Sequence, residues 1–154
     1  HLRDIAKNLI GVDLSPKMLS KADERDLYDE LIEAELTEYL GGCRGEHDLL
    51  VSADTLIYIG DLQTTFAAAS SALRPGGIIA FSLEKLDDDQ KQSGVDDGFR
   101  LGISGRYVHR ESCVRQWLSE SGFDVKGFVE TDVRKEGLQR VTGFLVTAIR
   151  RATD

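Results

Sequence analysis

Residues 9–19, LIGVDLSPKML, decide how this chain folds. The apolar run Leu9–Val12 reads as a short buried strand, and it ends at a single acid, Asp13. A helix start follows at once: Ser15 suits the N-cap, Pro16 the first helical position, and Met18 and Leu19 begin an apolar face. An acid at the carboxyl end of a strand in an open α/β sheet is placed to hold a ribose diol. The plainer role for such an acid is to favour the following helix N-terminus through its dipole.

Upstream of this stretch, Leu2, Ile5, Ala6 and Leu9 recur at helical spacing, so residues 2–8 read as the last turns of a helix. In a βαβ unit a helix that feeds a strand is itself preceded by a strand. No strand lies ahead of Leu2, the chain opens on His1, and Met18 is its only methionine. The expectation is therefore an N-terminally truncated piece of something longer.

Downstream, the helix runs from Pro16 to about Arg25, and Glu30–Ala34 reads as a second short strand followed by Glu35 and Leu36. Residues 37–47, TEYLGGCRGEH, hold a brief helical turn and a Gly-rich loop. Asp48–Ala53 is a strand whose continuous apolar centre, Leu49–Val51, fits burial on both faces, and Asp54–Ile59 extends it as a loop. Asp61 opens a helix with an apolar stripe through Leu62, Phe66, Ala69 and Leu73, which Arg74-Pro75-Gly76-Gly77 ends as a turn. Ile78–Leu83 is the next buried strand, and Glu84–Arg106, with its acidic run Asp87–Asp89, reads as one long loop. Arg110–Glu120 is a helix with Val114, Trp117 and Leu118 inward and Gly122 just beyond its end. Phe123–Thr131 and Val141–Ile149 must pair antiparallel, because the connection DVRKEGLQR (132–140) is too short for a crossover. The pattern predicts an α/β, Rossmann-like three-layer sandwich over residues 1–154. Its sheet is mostly parallel, its last hairpin is antiparallel, and its first strand is missing.

Composition narrows the function classes. With 154 residues, 41% hydrophobic and 30% charged, the chain has the balance of an ordinary globular domain with one core. A net charge of −8 argues against a general nucleic-acid binder, which needs a basic face. No apolar run is long enough to span a bilayer, and the opening HLRDIAK lacks the apolar centre of a signal peptide. Cys43 and Cys113 lack zinc or redox spacing and fit reduced thiols of a cytoplasmic protein. His1, His47 and His109 are scattered, so no metal site is expected.

Four stretches in this order, GVDLSPKML (11–19), DLLVSADTLIYIGDL (48–62), ALRPGGIIAFSLE (72–84) and GRYVHRESCVRQWLSESGFDV (105–125), resemble the class I S-adenosylmethionine (SAM) dependent methyltransferases. The turn LRPGG before an apolar strand is the most specific single feature. The GRYVHRES segment is closest in look to methyltransferase domains attached to tetratricopeptide repeats, although this chain holds no such repeat. The family's first strand and GxGxG loop would precede Leu2, and no GxGxG occurs in these residues.

The resemblance implies a set of cofactor contacts. Asp13 would accept hydrogen bonds from both ribose hydroxyls, as one carboxylate can. Leu14 and Met18 would pack on the adenine, Glu35 would stand near its amino group, and the Leu36 amide would reach the ring. Ala53 and Asp54 would lie beside the methionine portion. Met18 as a core filler and Glu35 as a solvated loop residue are the plainer alternatives. Methyl transfer needs alignment of donor and acceptor more than acid–base chemistry, so no catalytic residue is assigned. His109, Asp54 and Tyr58 are candidates for a general base, but a lone histidine before a helix is more often a cap or a surface residue.

The implied function is SAM-dependent methyl transfer to an unidentified small-molecule or protein acceptor, with cofactor binding by this chain alone impaired. An NAD-dependent oxidoreductase domain and a non-catalytic methyltransferase-like binding module are the alternatives. No membrane or general nucleic-acid partner is expected, and an exposed sheet edge would invite self-association.

Overall fold

The structure, a computed structural model, describes residues 2–86, 97–137 and 139–152. In chain order the elements are α1 (Leu2–Ile5), β1 (Ile10–Asp13), α2 (Pro16–Asp23), β2 (Glu30–Glu33), α3 (Leu36–Gly42), β3 (His47–Ser52), a 3₁₀ turn (Leu56–Tyr58), α4 (Gln63–Ala72), β4 (Leu73–Lys85), β5 (Phe99–Leu101), β6 (Tyr107–His109), α5 (Glu111–Glu120), β7 (Phe123–Glu136) and β8 (Gln139–Arg150). The strand–acid–helix reading of residues 9–19 holds: β1 ends at Asp13, Ser15 Oγ accepts the Met18 N–H at 3.4 Å, and Pro16 opens α2.

Strands β1 and β2 pair in parallel as a two-stranded sheet, from Ile10 opposite Glu30 to Asp13 opposite Glu33. The larger sheet runs β5-β6-β4-β8-β7, with β3 also on β4. β3 is parallel to β4, with Leu49–Ser52 opposite Ile78–Phe81. β6 is parallel to the end of β4 at Glu84–Lys85, and β8 is antiparallel to it over Ile78–Glu84. β4 therefore gives one edge to β8 and the other first to β3 and then to β6. The parallel strands and the antiparallel β7–β8 hairpin are the arrangement expected from the sequence. Among the described residues β1 pairs only with β2, and β3 only with β4, so each keeps an unpaired edge.

The core lies between one face of the larger sheet and helices α3, α4 and α5. The stripe Leu62, Phe66, Ala69 and Leu73 is fully buried, as its spacing requires, against Ile79, Phe81 and Leu83 of β4 and Phe144, Val146 and Ala148 of β8. Removing a Phe or Leu side chain from water in this way stabilises by roughly 1.5–3 kcal/mol each. The alternate residues point to the other face. There Leu49 and Val51 are 40% and 51% exposed, so β3 is covered on one face only, contrary to the two-sided burial read from its apolar run.

Three other expectations change. Arg74–Gly77 do not form a separate turn but lie within β4 as a bulge, because the ladder jumps from His47 opposite Leu73 to Leu49 opposite Ile78. Gly76 sits at φ 80°, and a Cβ at Gly77 would lie 2.9 Å from the Arg74 carbonyl oxygen, so both positions demand glycine. The end of the long loop is a hairpin, with β5 antiparallel to β6 and Phe99 opposite His109; Asp87–Asp89 fall outside the described residues. Most of the connection at 132–140 is strand, turning at Gly137 (φ 60°).

Two buried polar groups brace this frame. Glu84 of β4 is ion-paired with Arg134 of β7, and both side chains are largely withdrawn from water. His109, fully buried at the end of β6, places Nε2 3.0 Å from the carbonyl oxygens of both Ile59 and Gly60. Two acceptors at one ring nitrogen fix the proton there, so Nε2–H donates to them. His109 is thus neither a cap nor a surface residue but a tie between β6 and the loop entering α4. Burial holds its pKa below the ordinary imidazole value, against the opposing effect of the two carbonyl hydrogen bonds.

Two outcomes follow for stability. Arg134→Ala strands a buried carboxylate and should cost about 3 kcal/mol in urea unfolding, whereas an exposed ion pair would cost under about 1. A histidine whose folded pKa is depressed contributes fully above its unfolded value, near 6.5, and that contribution falls as the pH drops below it. The unfolding midpoint should therefore decline as the pH falls below about 6.5 in the parent chain and decline less in His109→Gln; equal slopes would contradict the buried neutral tie.

Candidate functional site

Asp13 closes β1 with its side chain exposed, and its Oδ1 accepts the Ser15 N–H at 2.8 Å. The same residue's carbonyl accepts the Ala34 N–H at 3.2 Å, which ties the end of β1 to the end of β2. The short side-chain bond orients the carboxylate beside the α2 N-terminus, where negative charge is favoured. Leu14 and Met18, on either side of the Ser15 cap, are 67% and 50% exposed. Met18 is therefore not a core filler. Both apolar side chains are open to water within five residues of the oriented carboxylate, so either is available to a flat apolar ring.

Glu35 and Leu36 stand two and three residues beyond the end of β2, at the same end of the small sheet as Asp13. Glu35 is the N-cap of α3: its Oε2 accepts the Glu38 N–H at 2.8 Å. Burial raises the pKa of this carboxyl, but hydrogen bonds from Thr37, Glu38 and Leu36 outweigh it and hold the value below the usual range. The Leu36 amide is thus drawn toward the Glu35 carboxylate. Seven residues of helix appear here where the sequence suggested a single turn, and the cap explains why: an acid at N-cap satisfies amides that otherwise lack partners.

Ala53 and Asp54 follow β3 and are both exposed. Asp54 has a left-handed backbone, φ 55°, which few residues other than glycine adopt, though aspartate tolerates it better than most. Its N–H donates to Ser82 Oγ on β4 at 3.0 Å, a contact with a residue the sequence reading passed over. The detectable signal was a serine inside the apolar strand IIAFSL (78–83), where only a partnered hydroxyl is at ease. Leu56 and Ile57 are buried just beyond, while Tyr58 is exposed. The structure thus brings Asp13, Leu14, Met18, Glu35 and Leu36 around the ends of β1 and β2, and sets Ala53 and Asp54 at the carboxyl end of β3.

Two cavities lie elsewhere. One of about 100 Å³, lined by Asp23, Asp26, Tyr28, Asp29, Glu30 and Leu31, is at the amino end of β2, opposite Asp13. The other, about 430 Å³, opens between the end of β4 and the first turn of α5. Its Lys85 and Arg115 are paired with Glu130 and Glu111, each at 2.8 Å. Tyr39, pushed up to about 12 by burial and by the Cys43 thiol, stays protonated at neutral pH. Among the described residues no group of three or more His, Cys, Asp or Glu side chains could hold a metal ion, and no helix is long and apolar enough to cross a membrane.

A family model described as a methyltransferase domain matches residues 1–81, just over half of the chain. No curated protein matches it at a significant level. Among solved structures, a SAM-dependent methyltransferase from Methanosarcina mazei superposes with a TM-score of 0.77 at 14% identity, covering 99% of this chain and 86% of that one. An S-adenosylmethionine dependent methyltransferase from Mesorhizobium loti gives 0.73 at 25% identity, with 94% and 81% covered. A Burkholderia thailandensis 1,6-didemethyltoxoflavin-N1-methyltransferase, solved with S-adenosylhomocysteine, gives 0.68 at 17%, with 93% and 61% covered. These neighbours share the Rossmann-like fold described above, and with the family model spanning more than half of its length, this chain belongs to the methyltransferase domain family.

Proposed function

We propose that this chain carries the ribose and adenine half of a SAM site and serves transfer of the methyl group of SAM to an acceptor, a small molecule or a protein. The observation that carries the reading is Asp13: an exposed carboxylate at the end of a parallel strand, oriented by the Ser15 amide and bordered by exposed Leu14 and Met18. The bound S-adenosylhomocysteine of the Burkholderia neighbour and the names of the other two support the choice of cofactor over a nicotinamide nucleotide.

When bound, SAM supplies an activated methyl group. The residues of this chain bind and orient it. Asp13 accepts the ribose O–H groups, and Leu14 and Met18 cover the adenine face and exclude water from it. Glu35 and the Leu36 amide border the adenine edge, within the limit that each already engages the other. Ala53 and Asp54 form the wall beside the methionine portion. The chain is read as a methyltransferase domain throughout its 154 residues.

No GxGxG loop occurs among these residues to cradle the methionine end, so the chain alone should hold the cofactor poorly. The unpaired edges of β1 and β3 should promote self-association. The two cysteines are free thiols, which supports a cytoplasmic setting.

Two measurements test this. Calorimetry with S-adenosylhomocysteine should give a dissociation constant weaker than about 100 µM, and Asp13→Ala should weaken it by about tenfold or more. Micromolar binding that Asp13→Ala leaves unchanged would refute both the site and the weakness. In sedimentation velocity the mean mass should rise with protein concentration, and Val51→Lys on β3 should suppress that rise. A parent chain that stays monomeric at every concentration would contradict the open-edge prediction.

A further inference from the structure

We propose that Ser82 is a positioning residue: its hydroxyl holds the Asp54 amide and so sets where the Ala53–Asp54 segment meets the methionine end of the cofactor. The inference rests on the proposed reading of Ala53 and Asp54 as part of the cofactor wall.

The pairing of β4 with β3 stops at Ser52 opposite Phe81, and the pairing with β6 starts only at Glu84 opposite Val108. Ser82 lies between these, at the point where this edge of β4 changes partner, while its other edge pairs with Leu145 of β8. A place where neighbouring strands diverge is where an open α/β sheet leaves room for a ligand. As the chain leaves β3, the Asp54 N–H loses the backbone acceptor that a continuing strand would offer. Ser82 Oγ, 3.0 Å away, accepts that hydrogen bond in place of the ladder.

The hydroxyl does more than satisfy a donor. Asp54 is held at φ 55°, a conformation that costs a residue with a Cβ, and it persists only where its surroundings fix it. On one side the segment is fixed by Ser82. On the other it is anchored by Leu56 and Ile57, which are 2% and 1% exposed. Thr55 Oγ1 donates to the Ala53 carbonyl at 3.2 Å and closes the turn between them. Ser82 itself is 7% exposed in the otherwise apolar run 78–83, where alanine would fill the space without the hydrogen bond. Its hydroxyl therefore has one evident use, and that use is the geometry of Asp54.

The test combines amide hydrogen exchange of the full 154-residue chain, followed by NMR, with titration by S-adenosylhomocysteine. Ser82→Ala should speed exchange at the Asp54 amide about tenfold and weaken S-adenosylhomocysteine binding about threefold, while Ser82→Thr, which keeps the hydroxyl, should restore both. Unchanged Asp54 exchange in Ser82→Ala would overturn the inference outright. Faster exchange with unchanged affinity, in a chain whose binding Asp13→Ala still weakens, would overturn the positioning role and leave the proposed function standing. Affinity insensitive to Ser82→Ala and Asp13→Ala alike would strike the reading of the site itself.

Discussion

The hydrogen-bond ladder of β4 is the constraint on which the rest of the structure depends. One thirteen-residue strand pairs with β8 along one edge and with β3 and then β6 along the other. Its two faces do different work. Ile79, Phe81 and Leu83 meet α4 and β8 in the core, while Ser82 and Glu84 face the other way and hold the Asp54 amide and the Arg134 guanidinium. The period of two in a strand makes this division unavoidable: moving β4 by one residue would place Glu84 among the core side chains and turn Leu83 away from them, toward Arg134.

The candidate site depends on the ends of strands rather than on their middles. Where a strand stops, the next amides and carbonyls lose their ladder partners and must find others. At Asp13 the local partner is the residue's own carboxylate, which receives the Ser15 amide. At Glu35 it is again a carboxylate, capping α3. At Asp54 it is the Ser82 hydroxyl on the neighbouring strand. The first two arrangements leave a carboxylate oriented by a backbone amide, and the third fixes the backbone of Asp54. The exposed ion pairs, such as Arg74 with Asp48, add little by comparison, because both partners remain hydrated in either state.

Much of this was legible in the chain. The helix stripe Leu62, Phe66, Ala69 and Leu73 and the cap Ser15–Pro16 follow from local rules that tertiary context did not override. The terminal hairpin followed from loop length alone. The misreadings share a physical cause, since each concerns residues whose conformation is set by a distant partner. Arg74–Gly77 have the composition of a turn, yet β3 alongside makes them a bulge. The residues at 132–140 look like a loop because a strand pair exposed to water shows no apolar alternation. Leu49–Val51 read as doubly buried, since a run of apolar residues cannot report which of its faces is covered. In the site, Asp13 could be found from its place after a strand, whereas Ser82 acts across 28 positions of sequence and left only an out-of-place hydroxyl as a sign.

The central claim is that the carboxyl ends of β1 and β2 form a ribose and adenine wall. The most direct test is a residue-resolved NMR titration of the chain with adenosine and, separately, with methionine. The account predicts that adenosine shifts the amide signals of Asp13, Leu14, Ser15, Met18 and Leu36 in a common saturable curve, and that methionine moves none of them. Shifts confined to the cleft between Lys85 and Arg115, or equal responses to the two compounds at Asp13, would contradict it.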